Sequence, residues 1–303
     1  MQDTKGCNAC PRCCNADRAH ASLGYCGQTD TIRIARVAPH YWEEPFLSGQ
    51  KGSGTVFFCG CNLRCCYCQN GVLLQEDIGR AVTPEECKAM ILYLQREGVH
   101  NINLVTATQF TQQLVPILRE LRGGALQIPV VWNSSGYESV ETLRLLEGLV
   151  DIYLPDYKYS SAALSKMYSN APDYPTVALA AIDEMLRQVG SPQFDAKGMM
   201  TRGVQVRHLV LPHHGKESRQ ALYCLRQHFG DRIGLSIMSQ YTPMPAMAEH
   251  PMLSRKITAK EYETVTRYAL QIGWQNAMTQ EGEAASKSFI PDFTLTDEFM
   301  KMI

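Results

Sequence analysis

Phe57-Phe58-Cys59-Gly60-Cys61-Asn62-Leu63-Arg64-Cys65-Cys66-Tyr67-Cys68-Gln69-Asn70 follows directly on a short apolar run, residues 55–58, that has the make-up of a buried strand. Within it Cys61, Cys65 and Cys68 are spaced C-x3-C-x2-C. A [4Fe–4S] cluster normally takes four thiolates. Three leave one iron open to a substrate group, much as a catalytic zinc keeps a free position. A loop placed directly after a strand sits where βα barrels build their active sites. Phe57, Phe58 and Tyr67 would shield the cluster from water, which tunes its potential. The alternative is a zinc knuckle, but zinc sites usually pair C-x2-C motifs and close with a fourth ligand nearby. Cys59 and Cys66 read as small local residues rather than ligands.

The same pattern extends along the chain. Residues 55–58, 101–106, 129–133, 150–154, 204–211 and 234–238 are short runs rich in Val, Ile and Leu, as expected for strands buried on both faces. Thr83-Pro84-Glu85-Glu86 is a capping box with proline at the first helical position. Cys87, Met90, Ile91 and Leu94 then recur at helical spacing, and Gly98 supplies a stop. Further helices are expected near 112–122, 140–146, 177–189, 217–229 and 259–272. Six strands alternating with helices predict parallel βα units. The expected fold is α/β, a partial (β/α)6 barrel with a Cys-rich N-terminal extension; a doubly wound open sheet is the alternative. The polar, glycine-containing stretch 190–203 predicts a mobile loop. Three regions follow: 1–52, Cys-rich and metal-binding; 53–245, the barrel core; 246–303, a helix and tail.

Bulk properties narrow the function. The chain has 303 residues, 45% of them hydrophobic, enough for a sizeable core. A net charge of −1 gives no electrostatic case for a nucleic-acid partner. No apolar run reaches membrane-spanning length, and MQDTKGCNAC lacks the apolar centre of a signal peptide. A cytoplasmic location with no membrane contact is expected. Ten of the 12 cysteines fall in the first 68 residues, a concentration that points to metal or iron–sulfur ligation rather than to a disulfide framework.

The cysteine loop, with Tyr67 before its last cysteine, resembles the radical S-adenosylmethionine superfamily. Over nearly the whole chain the sequence looks like the PflX-like branch related to pyruvate formate-lyase-activating enzymes. The motifs that carry this are Cys10-Pro11-Arg12, Trp132-Asn133-Ser134-Ser135-Gly136-Tyr137, Asp151-Ile152-Tyr153-Leu154-Pro155-Asp156-Tyr157-Lys158, Arg207-His208-Leu209-Val210-Leu211-Pro212 and Ser239-Gln240-Tyr241-Thr242-Pro243. The resemblance implies that the open iron chelates the methionine amino and carboxylate groups. Electron transfer then breaks an S–C bond and yields a 5′-deoxyadenosyl radical that abstracts hydrogen. It implies a monovalent cation near Asn133, Ser134, Asp156 and the Leu154 carbonyl, although Asn133 stands where the family usually has Asp. Lys158 and Arg207 are implied carboxylate partners. The family's Gly-Gly-Glu is absent after the second strand, and Thr106, Thr108 or Gln109 are expected to meet the amino group instead. Gln240 and Tyr241 read either as substrate-side residues or as a turn, and His213-His214 as a proton carrier or an exposed loop.

Cys7, Cys10, Cys14 and Cys26 make a second four-thiolate set, for zinc or an auxiliary iron–sulfur cluster, with Cys13 spare. The leading expectation is an enzyme that activates a glycyl radical protein, reduced by a flavodoxin or ferredoxin. The alternatives are a radical enzyme acting on another peptide or small molecule over many turnovers, and a non-catalytic zinc-binding scaffold.

Overall fold

The computed structural model describes residues 6–244, 247, 249–275, 277–280, 291 and 293. In chain order the strands are β1 (Arg33–His40), β2 (Ser53–Phe58), β3 (Arg80–Ala81), β4 (Ile102–Val105), β5 (Val130–Ser134), β6 (Ile152–Pro155), β7 (Gln193–Phe194), β8 (Met200–Leu209), β9 (Gly234–Met238) and β10 (Met278–Thr279). The helices are α1 (Pro45–Ser48), α2 (Pro84–Arg96), α3 (Thr111–Arg122), α4 (Val140–Arg144), α5 (Ala162–Ser169), α6 (Tyr174–Val189), α7 (Gly215–Phe229) and α8 (Ala259–Gln271).

Strands β2, β4, β5, β6, β8, β9 and β10 lie side by side in chain order, each pair parallel. A doubly wound sheet would reverse order at a switch point; this one does not, so the six expected βα units form the wall of a barrel. The wall is open. Its edges are β10 on one side and the antiparallel ribbon β1–β3 on the other. Every residue of β2, β4 and β6 is buried, because helices cover one face and the barrel interior the other. On the helix side α2 opens with its capping box, the Thr83 side chain accepting from the Glu86 amide and Glu86 from the Thr83 amide. Cys87, Met90, Ile91 and Leu94 are its buried face.

Four expectations are corrected. Residues 1–52 hold a full strand: β1 pairs antiparallel with β2 from Ile34–Phe58 to His40–Ser53. Its polar and Pro positions, Arg33, Arg36, Pro39 and His40, hid it from a search for apolar runs. Residues 190–203 are an ordered hairpin rather than a mobile loop. β7 pairs antiparallel with β8, and Asp195 Oδ1 accepts from the Lys197 and Met199 amides at 2.8 and 2.9 Å to fix the turn. The C-terminal segment adds a strand, β10, to β9. Finally α1, unforeseen, folds back from β1 into the N-terminal end of the barrel. There Leu47 and Phe46 pack on Val131, Ile152, Leu154 and Met200 and plug it, leaving the C-terminal end open.

No helix among the described residues is long and apolar enough to cross a membrane.

Candidate active site

The loop after β2 is built by close backbone approach. Gly60 has φ +79°, and a Cβ there would stand 2.5 Å from Gln28 Cγ and 2.6 Å from the Cys26 carbonyl. Only glycine fits such a turn. The loop is then pinned on three sides. The Cys61 amide donates to the Cys26 carbonyl at 3.2 Å and the Cys66 amide to the Tyr168 carbonyl at 2.8 Å. The Asn62 side chain donates to the Tyr137 carbonyl at 2.5 Å. Gln109 Nε2 donates to the carbonyls of Cys59 and Thr106 at 2.8 and 2.7 Å.

Pinned this way, the loop turns Cys61, Cys65 and Cys68 into one cavity of about 630 Å³ at the C-terminal mouth of the barrel. The Leu63 amide donates to Cys61 Sγ at 3.4 Å and the Ser169 hydroxyl to Cys65 Sγ at 3.0 Å. Burial pushes the Cys65 thiol up, and Cys68 to about 12, so a metal would have to displace protons on binding. Three free thiols on one short loop, two of them met by N–H or O–H donors, fit a cluster with an open iron. Cys59 and Cys66 do not line the cavity; the Cys59 thiol donates to the Ile78 carbonyl at 3.3 Å. Tyr67 is buried behind the loop, its ring edge-on to Tyr159, Tyr168 and Tyr241.

Across the cavity lie the other strand ends. Lys158 Nζ sits 2.5 Å from Asp156 Oδ2. Burial alone would lower Lys158, but Asp156 and then Cys65 override it and its ammonium is held above the usual lysine range. The Asp156 carboxylate is therefore already met by a fixed cation, which stands where the resemblance implies a monovalent ion. Arg207, from β8, is clamped between Glu43 and Glu44. Burial would raise Glu44; Arg207 outweighs it and holds the carboxyl below its usual range. Asn103 donates to Glu43 at 3.0 Å, and Asn133 reaches the same oxygen at 3.5 Å.

Thr106, Asn133, Ser134, Asp156, Lys158, Arg207, Tyr67 and Gln240 all line this cavity. Thr106 does so at φ +60°, a left-handed conformation rare for threonine. Thr108 is corrected: it does not face the cavity, and its hydroxyl donates to buried Glu138 at 2.9 Å. The Ser134 hydroxyl is also spent on Glu138, at 2.7 Å, beside Trp132 Nε1 at 2.8 Å. Burial pushes Glu138 up while those three donors pull it down, and burial is the larger effect. Tyr241 is buried and donates to the Leu253 carbonyl at 2.6 Å, a structural turn role. His213 pairs with Arg255 on the surface, and His214 meets the Tyr168 hydroxyl at 2.8 Å outside the cavity. The sequence reading missed Glu43, Glu44, Trp42 and Gln280, all of which line the cavity. The one available signal was the acidic pair directly before Pro45.

A profile of the Radical SAM superfamily matches residues 55–200, from β2 through the start of β8. Residues 55–200 are a radical SAM domain. Among curated proteins it is 28% identical, over 277 residues, to the uncharacterized protein MJ0674 of Methanocaldococcus jannaschii, covering 88% of this chain and 74% of that one. Among solved structures it is similar to the FeFe-hydrogenase maturase HydG from Carboxydothermus hydrogenoformans. That match has a TM-score of 0.50 and 13% identity, and covers 76% of this chain and 54% of the other. Streptococcus suis SuiB bound to S-adenosylmethionine gives a TM-score of 0.49 and 12% identity, covering 74% and 49%. The chain thus spans about half the length of the solved structures it matches, and at these identities the likeness concerns fold alone. A radical SAM domain implies a [4Fe–4S] cluster and S-adenosylmethionine as cofactors.

Proposed function

We propose that Cys61, Cys65 and Cys68 hold the cluster, and that the protein uses it to take hydrogen from a glycine of a partner protein, as glycyl-radical activating enzymes do. The observation that carries the reading is the convergence of the three thiols with Thr106, Asn133, the Asp156–Lys158 pair and Arg207 on one cavity. When bound, the cluster and S-adenosylmethionine together supply a one-electron S–C cleavage and a carbon radical that abstracts hydrogen. The protein's own groups do the positioning. Lys158, held in place by Asp156, would offer its ammonium to the methionine carboxylate. The Thr106 hydroxyl would meet the methionine amino group, its backbone being held by Asn133 and Gln109. Buried Arg207, tied to Glu43 and Glu44, fixes the charge at the cavity floor before any ligand arrives, so no reorganisation is needed on binding. Tyr67 and its ring neighbours exclude water behind the loop.

A rim of amides on the β9–β10 side suits a peptide substrate. Gln69 donates to the Gln240 carbonyl at 2.6 Å, and Gln280 to the Gln240 side chain at 3.1 Å. Amide side chains that already pair with one another can exchange partners with an entering backbone. A low-potential flavodoxin or ferredoxin is the proposed reductant.

The test is isotopic. Reduced, reconstituted protein is incubated with S-adenosylmethionine and a fully deuterated extract of the source organism, separated by size. Deuterium appearing in 5′-deoxyadenosine from the macromolecular fraction alone supports activation of a protein. Deuterium from the small-molecule fraction alone overturns it in favour of a metabolite substrate.

A further inference from the structure

Glu138 lies outside the cavity yet holds part of its wall. Its side chain is buried, with the residue only 2% exposed. Oε1 accepts from the Thr108 hydroxyl at 2.9 Å and from Trp132 Nε1 at 2.8 Å, and Oε2 accepts from the Ser134 hydroxyl at 2.7 Å. These donors come from two neighbouring strand ends: Thr108 follows β4, and Trp132 and Ser134 belong to β5. The backbone joins the same ends. The Thr106 amide donates to the Asn133 carbonyl at 2.9 Å, and the Asp156 amide, just after β6, donates to the Ser134 carbonyl at 3.0 Å. All three side-chain donors are neutral, and a carboxylate buried among neutral donors is costly to keep. The fold keeps it directly behind the place where Thr106, Asn133 and Ser134 line the cavity.

The Ser134 hydroxyl has one hydrogen and two lone pairs. The hydrogen goes to Glu138. One lone pair accepts from the Gly136 amide at 3.2 Å. The other is what this oxygen has left for the cavity that Ser134 lines, so toward a ligand it can only accept. A hydroxyl that donates to a carboxylate is also the more polarised acceptor. The turn that brings Glu138 back onto Ser134 is tight: Gly136 has φ +73°, and a Cβ there would collide with the Asp156 carbonyl. Backbone and side chain together therefore fix both the position of the Ser134 oxygen and its polarity.

We propose that Glu138 is a positioning residue: by taking the Ser134 hydrogen it keeps that oxygen an acceptor for the amino group of S-adenosylmethionine, beside Thr106, a role that rests on reading this cavity as the S-adenosylmethionine site. Glu138→Gln tests this because it keeps the shape and inverts the polarity. Trp132 Nε1 can only donate, so the oxygen of the new amide stays with Trp132 and its NH2 group turns to Ser134. Ser134 then accepts from that amide and from Gly136, and its own hydrogen is left pointing into the cavity, where a donor meets a donor.

The measurement is calorimetric binding of S-adenosylmethionine to the anaerobically reconstituted, unreduced protein, in which no turnover occurs. Glu138→Gln should raise Kd by about tenfold or more. Ser134→Ala, which removes one hydrogen bond, should raise it by a smaller factor, about threefold. The double variant should match Ser134→Ala, so that removing the serine relieves the effect of the glutamine. At saturating S-adenosylmethionine, 5′-deoxyadenosine release by Glu138→Gln should stay within about twofold of wild type, placing the effect in KM rather than kcat. A wild-type Kd for Glu138→Gln overturns the proposal. So do penalties that multiply in the double variant, as they would for a carboxylate that only braces the fold. If Glu138→Gln does not fold, a wild-type Kd for Ser134→Ala overturns the proposal by itself. A wild type that binds no S-adenosylmethionine contradicts the reading of the cavity, and this role with it, whereas unaltered variants beside a binding wild type contradict this role alone.

Discussion

Ser169, the last residue of α5, touches the proposed chemistry through a single bond, its hydroxyl to Cys65 Sγ at 3.0 Å. Hydrogen bonds to ligating sulfur raise a cluster's reduction potential. Ser169→Ala should therefore shift the active-site cluster to a more negative potential in an EPR-monitored redox titration, with iron content unchanged; an unaltered potential would show that the bond does not reach the cluster. A second residue gives a pH dependence. His208 is buried, its Nδ1–H donating to the Tyr157 carbonyl at 2.7 Å, and burial holds it below the usual histidine range. The folded state then binds fewer protons than the unfolded chain between that lowered pKa and about 6.5. Stability from this source is present above about pH 6.5 and lost as pH falls through the window. His208→Gln should reduce the gap in urea midpoint between pH 7.5 and 5.5, and an undiminished gap would contradict the assignment.

At the scale of elements, Arg12 is the tie between the N-terminal segment, the cysteine loop and the end of α5. It donates to the carbonyls of Asn62, Ser169 and Asn170 at 2.8, 2.9 and 2.5 Å, with its guanidinium 4.0 Å from the Tyr25 ring centre. Hydrogen bonds from a charged group contribute about 1.5–3 kcal/mol each in favourable cases and are not additive, so Arg12→Ala should cost about 2–4 kcal/mol in urea unfolding. Arg12→Lys should recover little of it, since an ammonium cannot span three carbonyls in one plane; a wild-type midpoint for either variant counts against the tie. The parallel strands and α2 were legible because burial on both faces, or on one helical stripe, leaves an apolar record in the chain. β1 was not, because one of its edges pairs with β2 while its polar side chains alternate irregularly, so its pairing is written in β2 as much as in itself. The turn of the β7–β8 hairpin is held by Asp195 accepting two amides, a pattern that reads equally well as a polar loop.

For the whole molecule, the plugged floor matters as much as the open mouth. α1 seals the N-terminal end of the barrel, and Glu43 and Glu44 directly before it reach Arg207. None of this was visible in the sequence, because it depends on a segment before the first parallel strand folding back into a barrel formed later in the chain. Arg207 was found as a cavity residue, yet its partners were not. Removing it leaves two buried carboxylates without a cation, and breaking such a cluster typically costs about 3–5 kcal/mol. Arg207→Ala should be destabilised on that scale in calorimetry or urea melts, more than an exposed arginine such as Arg267→Ala, whose pair with Glu263 is solvated.

The central claim is that the loop of Cys61, Cys65 and Cys68 builds the cluster that cleaves S-adenosylmethionine. The direct measurement is 5′-deoxyadenosine released from S-adenosylmethionine by the reduced, anaerobically reconstituted protein, with wild type and Cys65→Ala compared at equal protein. Wild type should release it, and Cys65→Ala should fall by about 100-fold or more, as loss of a metal ligand exceeds the usual cost of losing the groups that support one. Release by Cys65→Ala at the wild-type rate would contradict the account.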